Sequence, residues 1–292
     1  MAHSHRGAVI MNPYDIITDR ILAQLEAGTV PWRKPWNGKA GMPRNLKSGK
    51  EYRGINVFLL HSLGYESPYF LTFKQAKGRG GSVRKGEKGC PVVFWKLLDV
   101  DDDGELTTTR RVSILRYYTV FNAAQCEGID APAIDVPERK HEPVQAAQAT
   151  VEAMPNPPGI VHGYTSAAYS PRTDIVRMPK PERFDSNEAY YSTLFHELAH
   201  STGHTDRLNR NLDLKLAAFG SPDYSREELV AEMGSAFLCG EAGILEPCID
   251  RSAAYVAGWL KALRDDRKLV VTAAAQAQKA ADFILNRQFE GA

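Results

Sequence analysis

The 292-residue sequence predicts an α+β protein of two domains, and three observations support this prediction. Short helical and β-like runs alternate up to about residue 130. Residues 131–158 are rich in Pro, Ala and Glu, a composition typical of a connection between domains. Three β-like runs and then four helical patterns follow. We therefore expect a first domain at 12–130, a linker at 131–158 and a second domain at 159–290.

The first domain is expected to combine helices with a small antiparallel sheet. Ile17, Ile21 and Leu25 recur at helical spacing, and Gly28 ends this first helix. The apolar run 56–63 fits either a helix or a strand. Later runs rich in Val, Tyr, Phe and Thr predict strands. The expected elements are a helix at 14–27, a Pro- and Trp-rich loop at 30–49, strands at 69–72, 91–98 and 113–121, and an acidic turn at 99–105.

The second domain is expected to be mainly helical after three short strands. Asp185 and Glu188 can form an N-terminal capping box for its first long helix, and Gly203 offers a stop. A further short helix is expected inside the linker. The expected elements are helices at 144–154, 187–202, 226–239, 252–263 and 271–286, and strands at 160–164, 168–170 and 174–178.

A metal-binding motif stands inside the first long helix of the second domain. The run His196-Glu197-Leu198-Ala199-His200 reads HExxH, and residues four apart on a helix share a face. His196 and His200 can therefore hold one divalent cation, while Glu197 can take a proton from a water. The apolar residues of this helix predict that it is buried, which argues against a chance motif on a solvated helix. We expect Zn²⁺ as the cofactor, with Mn²⁺, Co²⁺ or Fe²⁺ as alternatives.

A tetrahedral site of this zincin type needs a third protein ligand, and the sequence offers two sources. Asp206 completes the spacing HExxHxxGxxD, which resembles that of metzincins with an aspartate in the third place. Alternatively, a carboxylate comes from a later helix, as in gluzincins, where Glu228 and Glu232 lie four residues apart. We favour Glu228 as the ligand, with Glu232 behind it as an orienting group or the alternative ligand. A capping box that starts at Ser225 would instead occupy Glu228 and leave the metal to Glu232.

Positive charge is concentrated in the first domain. Between residues 31 and 88, thirteen Lys and Arg residues stand against three Glu, although the whole chain has a net charge of +1. The same stretch contains eight Trp, Tyr and Phe residues. Cations that follow phosphates, together with rings on which bases stack, are typical of single-strand binding, although buried rings and solvated Lys residues are the ordinary alternative. The residues we predict to bind DNA are Trp32, Arg33, Lys34, Trp36, Arg53, Lys74, Lys77, Arg79, Arg84, Lys85 and Lys88.

Taken together, several motifs resemble the ArdC-type antirestriction proteins of conjugative plasmids. The resemblance extends over residues 12–290 and implies an N-terminal single-stranded-DNA-binding domain, a C-terminal metallopeptidase-like domain and protection of incoming plasmid DNA from host restriction. The motifs that carry it are Pro31-Trp32-Arg33-Lys34-Pro35-Trp36, Tyr52-Arg53-Gly54-Ile55-Asn56, Thr72-Phe73-Lys74-Gln75-Ala76, Val83-Arg84-Lys85-Gly86-Glu87-Lys88-Gly89, Tyr118-Thr119-Val120-Phe121-Asn122, His196–His200 with Thr202-Gly203-His204, and Glu227–Glu232.

Three functional hypotheses follow from these patterns. The first is an antirestriction protein whose partners are single-stranded DNA and host restriction-enzyme subunits. The second is an active zinc peptidase with Glu197 as its base, and Tyr190, Tyr191 or His204 as candidates to stabilise an oxyanion. The third is a purely structural metal site. With no membrane-spanning apolar run, no secretory signal and four cysteines without CxxC spacing, the sequence predicts a cytoplasmic protein with free thiols.

Overall fold

The computed structural model describes residues 12–33, 41–101, 109–132, 143–212, 222–244 and 253–287. In these residues, eight α-helices and nine β-strands form three small sheets and a helical layer. The α+β class that the sequence predicts is therefore confirmed. The predicted boundaries of the linker and the two domains stay predictions, because residues 133–142 lie outside the described part of the chain.

The first half of the chain builds a four-stranded sheet flanked by helices. Asn12 caps α1 by accepting a hydrogen bond from the Tyr14 amide at 3.1 Å, and Pro13 occupies the first turn. In the sheet, the strand order is β1-β2-β5-β4, and the long β4–β5 hairpin pairs antiparallel from Cys90↔Val120 to Asp101↔Thr109. The elements are α1 (Pro13–Glu26), β1 (Arg44–Asn45), α2 (Ile55–His61), β2 (Tyr69–Thr72), α3 (Phe73–Gly78), β3 (Ser82–Val83), β4 (Cys90–Asp101), β5 (Thr109–Asn122) and β6 (Cys126–Glu127).

The second half places a three-stranded sheet, in the order β7-β9-β8, beside a layer of helices. Helix α6 packs against α5 and α8, so it occupies the middle of this layer. The elements are α4 (Pro143–Ala153), β7 (Gly159–His162), β8 (Ala168–Ser170), β9 (Ile175–Met178), α5 (Asn187–Ser201), α6 (Pro222–Ala242), α7 (Ala253–Asp265) and α8 (Leu269–Ile284).

Two local predictions need correction, and one helix was missed. The cap of α5 is Ser186, whose hydroxyl accepts from the Ala189 amide at 3.0 Å, and not the predicted box of Asp185 and Glu188. Helix α6 begins at Pro222, four residues before the predicted start, so Ser225 lies inside the helix and cannot cap it. Helix α3 was not predicted. It follows β2 without a loop, because Thr72 ends the strand and also forms a capping box with Gln75.

The main hydrophobic core extends through both halves of the chain. Trp32 is 1% exposed and packs edge-on against Trp259 of α7 and Phe58 of α2, with ring centroids 5.4 and 6.4 Å apart. The ring of Phe58 in turn packs against the ring of Phe237 of α6, with centroids 4.7 Å apart. Rings from α2, α6, α7 and the turn at Trp32 therefore interlock, and aromatic pairs of this kind add about 0.5–1.5 kcal/mol each beyond the burial of their area.

The described cysteines are all free thiols. Cys90 and Cys239 are buried, and burial raises the pKa of each thiol to about 11. Cys126 is partly exposed, and Cys248 lies outside the described residues. Among the helices of the described residues, none has the length and apolar character needed to cross a bilayer.

Candidate metal centre

Helix α5 brings the two histidines of the HExxH motif onto one buried face. Leu194, Phe195, Leu198 and Ala199 are almost fully buried and anchor the helix against α6 and the sheet. The residues four apart, His196 and His200, therefore project together, and their Nε2 atoms lie 3.1 Å apart. Two imidazole nitrogens that bind one Zn²⁺ at tetrahedral angles lie about 3.4 Å apart, so the observed spacing suits a shared cation.

Glu228 of α6 supplies a carboxylate to the same point. Its Oε2 lies 3.6 Å from His196 Nε2, and its Oε1 lies 3.6 Å from His200 Nε2. Ligand atoms of the three residues all lie within 4.8 Å of one another, and within the described residues this is the group that geometry offers for a metal. Two imidazoles and one carboxylate form a donor set that divalent transition metals accept, so the residues fit such a cation.

The alternative third ligands, Asp206 and Glu232, are not part of this group. Asp206 is exposed, with its carboxylate 3.7 Å from His204, and is not part of the group. Glu232 is 3% exposed and is held by Arg33, whose Nε and Nη2 donate to its two oxygens at 3.3 and 3.0 Å. The geometry therefore favours Glu228 over Asp206 as the third ligand, and Ser225 cannot cap α6 because it lies inside that helix.

Glu227 of α6 contacts a histidine of the group from behind. Its Oε1 lies 3.3 Å from His200 Nδ1, the ring nitrogen that faces away from His196. Arg210 fixes this carboxylate with hydrogen bonds of 2.7 and 3.0 Å from Nη2 and Nε. A carboxylate on the second ring nitrogen sets the tautomer and orientation of a metal-binding histidine. The sequence offered one signal for this role, which is that Glu227 immediately precedes the favoured ligand.

A tight turn after α5 returns Arg210 to the site. Gly203 permits this turn, since a Cβ there would meet Leu212 Cδ1 at 2.5 Å and Arg210 Nη2 at 3.0 Å. Arg210 also donates to the Thr202 hydroxyl at 2.7 Å and to the Ala199 carbonyl at 2.8 Å. The guanidinium of Arg210 thus links the C-terminal end of α5 to Glu227 on α6.

Negative charge dominates the electrostatics of the group. Burial alone would raise the pKa of Glu228, but the imidazoles of His196 and His200 outweigh it and lower the pKa to about 2. Burial alone would lower the pKa of His200, but the hydrogen bond to Glu227 and the nearby carboxylates raise it to about 9. Carboxylates that favour a proton on this ring also favour a metal cation. The Nδ1 of His196 is buried and has no hydrogen-bond partner among the described residues.

The metal group opens onto a cleft of about 700 Å³. Glu197 is 8% exposed and lines this cleft with the two histidines, Glu228, and the phenol rings of Tyr169 and Tyr224. Tyr224 hydrogen-bonds to Glu228 and was not singled out from the sequence. The residues predicted to stabilise an oxyanion, Tyr190, Tyr191 and His204, do not line the cleft. The Tyr190 hydroxyl is hydrogen-bonded to His162 at 2.9 Å, and the Tyr191 hydroxyl donates to Gln148 at 2.8 Å. His204 accepts a hydrogen bond from the Asp206 amide.

The predicted DNA-binding residues separate into three groups. Trp32 is in the core and Arg33 is paired with Glu232, so the prediction that they contact DNA is wrong because both side chains are covered. Arg53 is partly exposed and pairs with Asp282 of α8, while Lys34 and Trp36 lie outside the described residues. The remaining six side chains are exposed. They lie in α3, between α3 and β3, and directly after β3: Lys74, Lys77, Arg79, Arg84, Lys85 and Lys88.

Two protein families match successive parts of the chain. Residues 11–121 match the N-terminal domain of the anti-restriction factor ArdC, and residues 146–276 match a zincin-like metallopeptidase. Among curated relatives, the uncharacterized protein y4eC of Sinorhizobium fredii is 37% identical over 94% of this chain and 92% of its own length. Two DNA primases named TraC from Escherichia coli are 38% and 37% identical over 95% and 93% of this chain. This chain spans 27% and 20% of the lengths of those primases.

Solved structures agree with these matches. The antirestriction protein ArdC from plasmid R388 has been crystallised metal-free and with Mn(II) bound, and each structure superposes on this chain with a TM-score of 0.75. The two are 40% and 39% identical to this chain, and the superpositions cover 94% of it and 99% and 98% of theirs. Sequence, fold and the zincin-like domain therefore lead to one conclusion: this chain belongs to the ArdC family of antirestriction proteins.

Proposed function

We propose that this protein binds single-stranded DNA through its first domain and protects incoming plasmid DNA from restriction in the host cytoplasm. A basic ridge, which we define as Lys74, Lys77, Arg79, Arg84, Lys85 and Lys88, carries this proposal. These six cations occupy fifteen residues that contain one acidic residue, Glu87. Glu87 pairs with Arg84 at 2.7 Å, which leaves the other five charges to attract phosphates.

The ridge stands on a small core of its own. Leu46, Leu71 and Ala76 are buried together beneath it and hold α3 against the sheet. The side chain of Arg79 also donates to the Leu46 carbonyl at 3.2 Å. The cations therefore project from a fixed surface, which reduces the conformational entropy lost when phosphates bind.

The test is a titration of fluorescein-labelled oligothymidine and of a duplex of equal length at several salt concentrations. Single strands should bind more tightly, with log K falling by about 0.7 per neutralised phosphate for each unit of log[salt]. Lys77→Ala combined with Lys85→Ala should reduce that slope by about 1.4. Lys261→Ala on helix α7, where Lys261 is exposed and pairs with Asp265, is the matched control and should leave the slope unchanged. A wild-type protein without single-strand preference contradicts the proposal.

We further propose that His196, His200 and Glu228 hold Zn²⁺, with Mn²⁺ as the alternative because one crystal structure of the relative contains Mn(II). The donor set of two imidazoles and a carboxylate suits both ions. Dialysis against each metal, followed by elemental analysis and a thermal scan, distinguishes them. Metal that binds the folded state alone stabilises it by about 2.7 kcal/mol at a concentration of 100 Kd. His196→Ala with unchanged metal content and unchanged melting temperature would contradict the assignment.

A metal-dependent peptidase is the second candidate function, and the position of Glu197 in the cleft wall favours it. The cation would supply Lewis acidity toward a carbonyl group and a water molecule. The Glu197 carboxylate would accept the proton of the attacking water and return it to the leaving amine. The Tyr224 hydroxyl lies in the same wall and hydrogen-bonds to Glu228, so to donate to the developing oxyanion it would first have to leave that carboxylate.

The peptidase hypothesis is tested with Glu197→Gln, which keeps the shape of the side chain and removes the base. Proteolysis of casein, of the protein itself or of restriction subunits should fall by a factor of about 100 or more, while metal content stays unchanged. Protection of plasmid DNA by the same variant shows whether antirestriction needs the chemistry. If the wild-type protein cleaves none of these proteins, the metal site serves a structural role instead.

A further inference from the structure

The β4–β5 hairpin carries a pair of stacked rings on its surface. Phe94 of β4 and Tyr118 of β5 lie parallel, with ring centroids 4.5 Å apart and planes within 3°. Tyr118 is 56% exposed, whereas its strand neighbours two or three residues away, Val120 and Leu115, are buried. An exposed ring contributes little to the core, so the stability of the fold does not explain this pair.

Two cations continue the same face of the hairpin. Arg116 lies directly opposite Phe94 in the strand register, and Lys96 follows Phe94 by two residues, so side-chain alternation places all four residues on one side of the sheet. Lys96 and Arg116 are exposed, and neither has a carboxylate within ion-pair distance in the part of the chain that the structure describes. Residues 90–98 and 109–122 contain no Asp or Glu. This surface is therefore both aromatic and positively charged.

We propose that Phe94, Lys96, Arg116 and Tyr118, here called the hairpin face, form a stacking platform for unpaired bases of single-stranded DNA. The inference rests on the proposed function and extends it to a surface separate in sequence from the basic ridge. A base stacks on the exposed side of Tyr118 and lengthens the existing pair of rings, while Arg116 and Lys96 contact the adjoining phosphates. Such stacking needs no readout of base identity, so binding should be independent of sequence.

The hairpin itself supplies a matched control. Tyr117 is 44% exposed and adjoins Tyr118, but it points to the opposite side of the sheet. Tyr118→Ala should weaken binding of labelled oligothymidine by about 5- to 100-fold, the range for loss of one stacked base. Tyr117→Ala should change the affinity by less than about twofold. Tyr118→Phe keeps the ring and should bind as the wild-type protein does.

The cationic part of the face is tested by the salt dependence of the same titration. Arg116→Ala should reduce the slope of log K against log[salt] by about 0.7, while Arg116→Lys should preserve it. Because these side chains are exposed, the variants should unfold at the same temperature as the wild-type protein, which a thermal scan verifies.

The outcomes separate this inference from the function on which it rests. A wild-type protein that does not bind oligothymidine at low salt overturns both. Wild-type binding with equal affinities for Tyr118→Ala and Tyr117→Ala overturns the hairpin face and leaves the basic ridge as the binding surface. Equal losses for Tyr118→Ala and Tyr118→Phe assign the effect to the hydroxyl and also overturn stacking. Loss with Tyr118→Ala alone supports the platform.

Discussion

Removal of the Arg33 guanidinium should destabilise the protein far more than removal of a surface arginine. Arg33 and Glu232 are 12% and 3% exposed, and two hydrogen bonds join them. Arg33 also lies over the Trp259 ring at 5.1 Å. Loss of one partner leaves a buried charge without compensation, which costs about 3–5 kcal/mol. Arg33→Met keeps the apolar stem and should therefore lower the melting temperature by on the order of 10 °C.

A surface ion pair that also joins the two halves of the chain gives the control. Arg264 of α7 contacts Glu26 of α1 at 2.6 Å, but the two side chains are 57% and 51% exposed. Solvent screens this pair, so Arg264→Met should cost about 0–1 kcal/mol. The nitrogen–oxygen distances of the two pairs are similar, but their burial differs. The difference in free energy of unfolding between Arg33→Met and Arg264→Met therefore measures the effect of desolvation.

Urea unfolding followed by tryptophan fluorescence provides the assay, with chelator present throughout so that metal binding does not contribute. The double variant Arg33→Met with Glu232→Met replaces the ion pair by two apolar side chains and should recover most of the lost stability. Equal and small losses for Arg33→Met and Arg264→Met would refute the reasoning. A double variant no more stable than Arg33→Met would assign the loss to packing and not to the buried charge.

Three further predictions concern the metal group, two glycines and the free thiols. Glu227→Gln should weaken metal affinity by about 10- to 100-fold, because His200 loses its carboxylate partner, and calorimetric titration with Zn²⁺ measures this; unchanged affinity would contradict the orienting role. Gly203→Ala should lower the free energy of unfolding by about 1–3 kcal/mol, because the added methyl group would overpack the site. Gly258→Ala should raise it by about 0.5–1 kcal/mol, because Gly258 faces open space within helix α7. Changes of the same sign in the two variants would contradict this description of the packing. Under native conditions at pH 8, iodoacetamide should label Cys126 faster than the two buried thiols, whose raised pKa leaves about one thiolate in a thousand, and peptide mapping would show any exception.

Most of what the sequence predicts about the metal centre comes from the helical spacing of its residues. The relation between His196 and His200 is fixed within one helical turn, so the spacing alone indicates a shared face. The position of Glu228 required a second helix to pack at the correct height, which the sequence does not specify by itself. The contact of Glu227 with His200 depends on the face of α6 that meets α5, a tertiary property, so the sequence did not single out Glu227. The orienting role predicted for Glu232 stays a prediction.

Composition was a weaker guide to the nucleic-acid surface. Trp32 and Arg33 lie in a run of Trp, Arg, Lys and Pro that reads as an exposed DNA-binding loop, yet one is core and the other is a buried ion-pair partner. Charge counts do not reveal which cations meet carboxylates from distant segments, as Arg33 meets Glu232 and Arg53 meets Asp282. Of the six exposed cations around α3, Arg84 pairs with Glu87, the one acid of that segment.

The interlocked rings of Trp32, Phe58, Phe237 and Trp259 have a consequence for how such proteins are inherited. Each domain completes the aromatic wall of the other, so a gene fragment that encoded one domain alone would express a chain with a bare apolar surface and a tendency to aggregate. Recombination should then conserve the pair as one cassette. The match to the much longer TraC primases covers 95% and 93% of this chain and includes both parts, which is what such joint transfer would leave behind.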